Sequence, residues 1–366
     1  MDAGELKRRL RDAALALGFD QIGFAPADRP SHAAAYLAWL DQGWHGGMAY
    51  MAREDAVRRR LRPDDALPGC RTILMVSLSY AMPDPKPAPS REAAIVARYA
   101  AGLDYHGVFE ERLAGLADAL ERLAPGERSL PSVDYGPVLE RDHAQRAGLG
   151  WIGKNTMLID PVLGSYLLLG ELLTTLHLPP DEPFTADRCG SCSRCIEACP
   201  TGAIRGPRRL DARLCISYLT IELRGSIPLR LRPLVGNRVF GCDICQEVCP
   251  WNDGVPEGST AELTPGNRRQ DGRVRGGREE GRPIRPERMR DWAEELLELT
   301  DEAYRARYGE TALARPGRQG MLRNLCVGLG NSGRPEALPV LRRCLEDPSE
   351  LVREHARWAL ERLEAS

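Results

Sequence analysis

Eight of the eleven cysteines in this 366-residue chain fall into two runs. The first is Cys189-x2-Cys192-x2-Cys195-x3-Cys199-Pro200. The second is Cys242-x2-Cys245-x3-Cys249-Pro250, with Cys215 alone upstream. Thiolates are the soft ligands that iron–sulfur clusters take, and x2 spacing lets one tight loop offer three of them to one cube. In such a run the cysteine before proline ligates the other cluster. We therefore assign Cys189, Cys192, Cys195 and Cys249 to one 4Fe–4S cluster, and Cys199, Cys215, Cys242 and Cys245 to a second. A zinc ribbon needs four ligands and leaves the surplus thiols unexplained. Disulfides do not suit a chain without a signal peptide. The distance to Cys215 predicts an insertion that shapes the surroundings of the second cluster. Cys70, Cys326 and Cys344 stand alone in apolar stretches and read as small core residues.

Two adjacent clusters move single electrons, so the rest of the chain must use them. Candidate chemistry lies in the segment Ser132 to Arg141, where Asp134 precedes a Gly136-Pro137 turn. Among Val133, Tyr135 and Val138, a buried Asp134 would have the raised pKa that a proton donor needs. The competing role is a turn hydrogen bond. The segment Ala147 to Asn155 holds Gly148, Gly150 and Gly153, which would let a backbone approach a large planar or phosphorylated ligand. This GxGxxG string follows no clear strand, so a dinucleotide site is not expected. The segment also holds Lys154, one of only three lysines (with Lys7 and Lys86) against 47 arginines.

The elements that must position these residues follow from patterning. Leu6, Leu10 and Leu17 share related faces of a helix over 5–17, with Gly18 as its stop. Residues 21–25 read as a short strand. Arg71 to Tyr80 is nearly continuously apolar, as in a strand buried on both faces. Pro83, Pro85, Pro87 and Pro89 mark a loop, 105–123 a helix, and the region from Tyr166 to Leu169 another strand. Strand and helix signals alternate, so 1–178 reads as an α/β domain. Residues 179–258 form the ferredoxin-like cluster domain, where ligation itself supplies folding energy. Residues 259–308 make a charged connector with a helix. Between Gly266 and Arg290 it carries nine arginines and four acids. At 309–366, the strings Met321-Leu-Arg-Asn324 and Leu351-Val-Arg-Glu354 echo each other around an intervening helix at Leu338 to Leu345. This is the texture of HEAT-like helical repeats. The expected class is mixed α+β or α/β with an α-helical tail.

Net charge is −2, so no global polyanion-binding signature exists. No apolar stretch reaches the ~18 residues of a membrane span. The apolar run after Arg8-Arg9 is too short for an export signal. A cytoplasmic, monomeric protein is expected.

The chain resembles the epoxyqueuosine reductase family. The likeness is carried by Gly102-Leu-Asp-Tyr-His106, the Asp134 turn, Ala147 to Asn155, Gly164-Ser-Tyr166 and Gly170-Glu171. It continues through Cys189 to Ala203, Cys215-Ile-Ser217, Gly236-Asn-Arg238 and Gly241 to Cys245. The resemblance implies reduction of epoxyqueuosine to queuosine at the wobble position of tRNA, the last step in making that nucleoside. It implies base-off cobalamin beside the two clusters, electrons from an external low-potential donor, and Asp134 as proton donor. Asp104-Tyr-His106-Gly-Val-Phe109 lacks the final glycine of an Asp-x-His-x-x-Gly motif, so no histidine is expected to ligate cobalt through it. By the same resemblance the corrinoid contacts are Arg60, Ala97, Arg98, Asp134, Asn155, Met157, Leu158, Ser165, Ser217 and Asp243. The tRNA backbone falls to Arg224, Arg230, Arg232, Arg238, Arg323 and Arg353, the last two at equivalent points of the helical repeat. Two other readings compete: a corrinoid iron–sulfur reductase of small molecules, and an electron-carrier module fused to a scaffold. The first needs neither the Arg-rich connector nor the helical tail. The second leaves an N-terminal domain of nearly 180 residues unexplained.

Overall fold

The computed structural model describes residues 2–83, 90–136, 138–264 and 287–365. Most of the Arg-rich connector and most of the proline loop lie outside the described residues. Helix α1 (Ala3–Ala16) starts where the Asp2 carboxylate accepts the Glu5 amide at 2.8 Å. It buries Leu6, Leu10 and Ala14, and Gly18 ends the turn at φ 84°.

Four strands make the central sheet: β1 (Gln21–Pro26), β2 (Thr72–Ser79), β3 (Ser129–Ser132) and β4 (Leu167–Thr174). Their spatial order is β1-β2-β4-β3, and every pair is antiparallel. The α/β expectation is corrected here: the domain is α+β. An apolar run reports that both faces of a strand are covered, not which way its neighbour runs. Both faces of β2 are covered. Leu74, Val76 and Leu78 pack in a cluster with α1 and with α2 (Tyr105–Leu123). Ile73 and Met75 pack in another with Ala144 of α3 (Glu140–Arg146).

In the cluster region short helices Arg194–Glu197 and Ile244–Glu247 pack together, each carrying a cysteine run. The C-terminal helices α4 (Gly317–Ser332), α5 (Leu338–Cys344) and α6 (Glu350–Glu364) share a core with Ala94, Ala100, Val239 and Phe240. The helix Met289–Leu297, in the segment read as a connector, buries Trp292 in the same core. The tail is therefore built into the rest of the molecule. Among the described residues no helix is long and apolar enough to cross a membrane.

Candidate iron–sulfur and proton-transfer site

Cys189, Cys192, Cys195 and Cys249 line one cavity of about 70 Å³, together with Lys154, Asn155 and Trp251. Lys154 Nζ donates to the carbonyls of Gly190 at 2.6 Å and Cys192 at 2.8 Å, strapping the first cysteine loop. The indole of Trp151 donates to Cys189 Sγ at 3.5 Å.

Burial and mutual crowding raise the thiols whose surroundings shift them. Burial, then Cys189 and Cys192, pushes Cys195 up; burial, with Cys189, Cys195 and Cys192, pushes Cys249 up. Burial pushes Cys242 up to about 12, with Cys215 adding to it. Burial raises Cys215, and Cys199 adds to the rise. Cys245 rises through burial, then Cys215 and Cys242, and also feels Cys195 across the two sets. Thiols crowded this way ionise only against a cationic centre. The four thiols of the first set line a common cavity, as the ligands of one cluster must. Cys70, Cys326 and Cys344 are buried apart from both sets, as small core residues.

The residues expected around a corrinoid divide by what they touch. Arg60 is buried, and its Nη1 has no partner among the described residues. The Arg98 amide donates to Asp243 Oδ2 at 2.7 Å, and the Arg98 guanidinium lies 4.7 Å over the Tyr166 ring. Burial pushes Asp243 up to about 6. Asn155 Nδ2 donates to the Cys245 carbonyl at 3.3 Å, and its Oδ1 accepts the Met157 amide at 3.2 Å. Ser165 accepts from Gln246 at its carbonyl, 2.8 Å away, and its amide donates to Asn252. Leu158 is buried on a short strand with Ile159. Ser217 hydrogen-bonds the Cys215 thiol. Gly241, at φ 68°, backs onto Ala97; a β-carbon there would come within 2.5 Å of Ala97 Cβ, so position 97 is set by packing.

Asp134 sits at φ 48°, in the left-handed region, with its side chain 59% exposed. Tyr105 Oη donates to its Oδ2 at 2.9 Å, and His106 Nε2 lies 3.5 Å from the same oxygen. Desolvation pushes the carboxyl up, but the hydrogen bonds from His106 and Tyr105 outweigh it and hold it below the usual range. The raised pKa is expected of a buried Asp134; this side chain is exposed, and it rests ionised. His106, held by Asp104 at 2.6 Å, rises to about 9 because the pull of Asp104 and Asp134 exceeds its desolvation. The raised carboxyl is Glu140, whose Oε1 accepts the Asp134 amide at 2.6 Å. Burial, then the Asp134 charge, lifts Glu140 to about 7. Sequence reasoning missed Glu140 and Glu171 as acids of this site; the available signal was an acid inside the apolar run of β4. It also missed Arg315, which pairs with Glu222 at 3.0 Å and lies 5.8 Å over the Tyr50 ring.

Two arginines expected on the tRNA surface are interior. Arg323 is fully buried and donates to the carbonyls of Leu223, Gly225 and Leu219 at 2.6 to 2.8 Å. Arg232 is buried and held by the Ile227 carbonyl and Glu354. Both are corrected to structural roles, because their donors are already used inside the protein. Arg353 is half-buried and bonds Glu350 and the Asp347 carbonyl. Arg224 and Arg230 are exposed, and Arg238 is half-buried near the second cysteine run.

A family model described as a 4Fe–4S double cluster binding domain matches residues 188–252. Another, described as epoxyqueuosine reductase QueG, DUF1730, matches residues 60–134. Epoxyqueuosine reductase of Pseudomonas aeruginosa is 42% identical over 369 residues, covering 99% of this chain and 95% of its own. The chain belongs to the epoxyqueuosine reductase family. It is an oxidoreductase, and its cysteine region is a double 4Fe–4S domain. A crystal structure of epoxyqueuosine reductase with an epoxyqueuosine-modified tRNA-Tyr stem loop matches it at TM-score 0.85 and 30% identity, covering 99% of this chain and 91% of that one. The Bacillus subtilis epoxyqueuosine reductase, solved with its catalytic aspartate loop swung out of the active site, matches at TM-score 0.83 and 31% identity, with the same coverage.

Proposed function

We propose that this epoxyqueuosine reductase removes the epoxide oxygen of epoxyqueuosine at the wobble position of tRNA, giving queuosine with the aid of bound cobalamin. The observation that carries the wiring is the Asn155 hydrogen bond to the Cys245 carbonyl, which joins the Ala147–Asn155 segment to the loop of the second cysteine set. Electrons from an external low-potential donor enter through one cluster and leave through the other. Cobalamin, when bound, supplies a low-valent metal centre for reducing the epoxide. Arg60 fits that ligand, since its buried Nη1 is a donor that no described protein group uses. Asn155, Ser165, Arg98 and Asp243 hold the surrounding backbone in place through the bonds described above.

Asp134 is the proton donor in this reading. Its exposure lets it reach a substrate, and Tyr105 and His106 fix its orientation. Arg224, Arg230 and Arg238 contact the tRNA backbone, which gives affinity without sequence reading. The modified base is splayed from its loop toward Asp134. The HEAT-like tail buttresses this surface, in a cytoplasmic enzyme that acts as a single chain. The test is nucleoside mass spectrometry after epoxyqueuosine-containing tRNA meets reconstituted protein and a low-potential reductant. A product lighter by one oxygen is expected. An unchanged nucleoside overturns the reading.

A further inference from the structure

Glu171 stands mid-strand on β4, fully buried, with neither carboxyl oxygen hydrogen-bonded to any described residue. An ionised carboxylate in that position is shut off from bulk solvent, and no described cation is among the groups that act on it. Its register neighbours are Met75 on β2 and Ser132 on β3. The buried Ser132 hydroxyl lies beside it; it falls short of full hydrogen-bond geometry, and its pull on the carboxyl is weaker than the effect of burial. Gly136 closes over the pair: a β-carbon there would come within 3.2 Å of Glu171 Oε1 and collide with Ser132 Oγ. The loop that carries Asp134 is thus laid on a fully buried carboxyl with no described cation beside it.

Glu140 lies between Asp134 and Glu171: its Oε1 accepts the Asp134 backbone amide, and its charge is felt at Glu171 as the Asp134 charge is felt at Glu140. His106 and Arg141 are the cations that face Glu140, and Asp134 and Glu171 are the neighbouring acids. The chemistry needs such a set. Expelling the epoxide oxygen as water breaks two C–O bonds, forms a C=C bond, and consumes two electrons and two protons. The electrons come from the low-potential donor through the clusters. Asp134 rests ionised, and it can carry only one proton at a time.

Resting on the function proposed above, we propose that Glu171 and Glu140 form a proton store under the Asp134 loop, Glu171 holding a proton and Glu140 passing it to the Asp134 carboxylate in each turnover. Burial, with the Glu140 charge next, raises Glu171 well above the ordinary carboxyl range, in keeping with storage.

E171Q keeps shape and neutrality but has no acidic proton to transfer. Wild-type protein at pH 9, above the range in which Glu140 and Asp243 carry protons, should show a protonated-carboxyl infrared band that moves in heavy water, and E171Q should lack it. In cobalamin-loaded, cluster-replete protein, E171Q should turn over roughly tenfold more slowly or worse, with unchanged iron content and Tm. E140Q should be slowed likewise and lose the pH dependence near 7; it decides the matter if E171Q fails to assemble. Wild-type turnover and pH profile in these variants, or a wild-type infrared spectrum without the band, overturns the store. If wild-type protein makes no queuosine, the functional reading fails instead, and the infrared comparison still decides whether the store exists.

Discussion

His106 Nε2 lies 3.5 Å from Asp134 Oδ2 while its Nδ1 lies 2.6 Å from Asp104, so one imidazolium bridges two carboxylates. Its folded pKa of about 9 exceeds the ordinary 6.5. The stability it contributes is therefore complete below about pH 6.5 and is lost as pH rises through 9. H106Q should remove that pH dependence, lower Tm at pH 7, and let the Asp134 carboxyl rise. Thermal unfolding across pH 6 to 10 checks this; parallel curves for the two proteins would contradict it.

Asp134 has a sharper test. D134N keeps the size and the turn but cannot donate an acidic proton. Iron and cobalamin content should stay at wild-type levels, while turnover falls by about 10²-fold or more. Retained turnover removes Asp134 from the chemistry.

Lys154 straps the first cysteine loop through two carbonyls and places an ammonium beside the cavity that those cysteines line. A nearby positive charge favours the reduced, more negative cluster. K154M should therefore shift the potential of the first cluster to a more negative value in an EPR-monitored titration and leave the second nearly unchanged. Equal potentials would show that the lysine acts only as a strap.

Arg323 and Arg230 should behave oppositely. R323A leaves buried carbonyls unpaired, and should cost about 3 kcal/mol and several degrees of Tm. R230A should leave Tm unchanged, weaken tRNA uniformly, and reduce the salt slope of binding by about one. A flat salt dependence in wild-type protein would remove the phosphate contacts altogether.

The legible parts of the chain were those set by local pattern. The helix over 105–123 and the strand within 71–80 lie where periodicity places them. The two thiol sets are read from the ferredoxin-type run and its trailing proline, and the fold gathers Cys189, Cys192, Cys195 and Cys249 around one cavity. Strand β4 runs on to Thr174, beyond the expected end near Leu169, because Gly170 and Glu171 interrupt the apolar pattern. Antiparallel pairing was hidden, since covered faces carry no direction. Arg323 and Arg353 occupy matching repeat positions, yet α4 is wrapped by other elements and α6 is less so; a sequence echo does not report depth. The resting charge of Asp134 was equally hidden, because it depends on His106 and Tyr105 reaching it from another element.

The most direct test of the wiring is freeze-quench EPR on cobalamin-loaded protein with both clusters pre-reduced and the donor removed. Adding an epoxyqueuosine-containing stem loop should reoxidise the clusters, with one queuosine formed for every two electrons lost. An unmodified stem loop should leave the signals unchanged. Clusters that stay reduced while queuosine appears, or that reoxidise without any queuosine, would contradict the account.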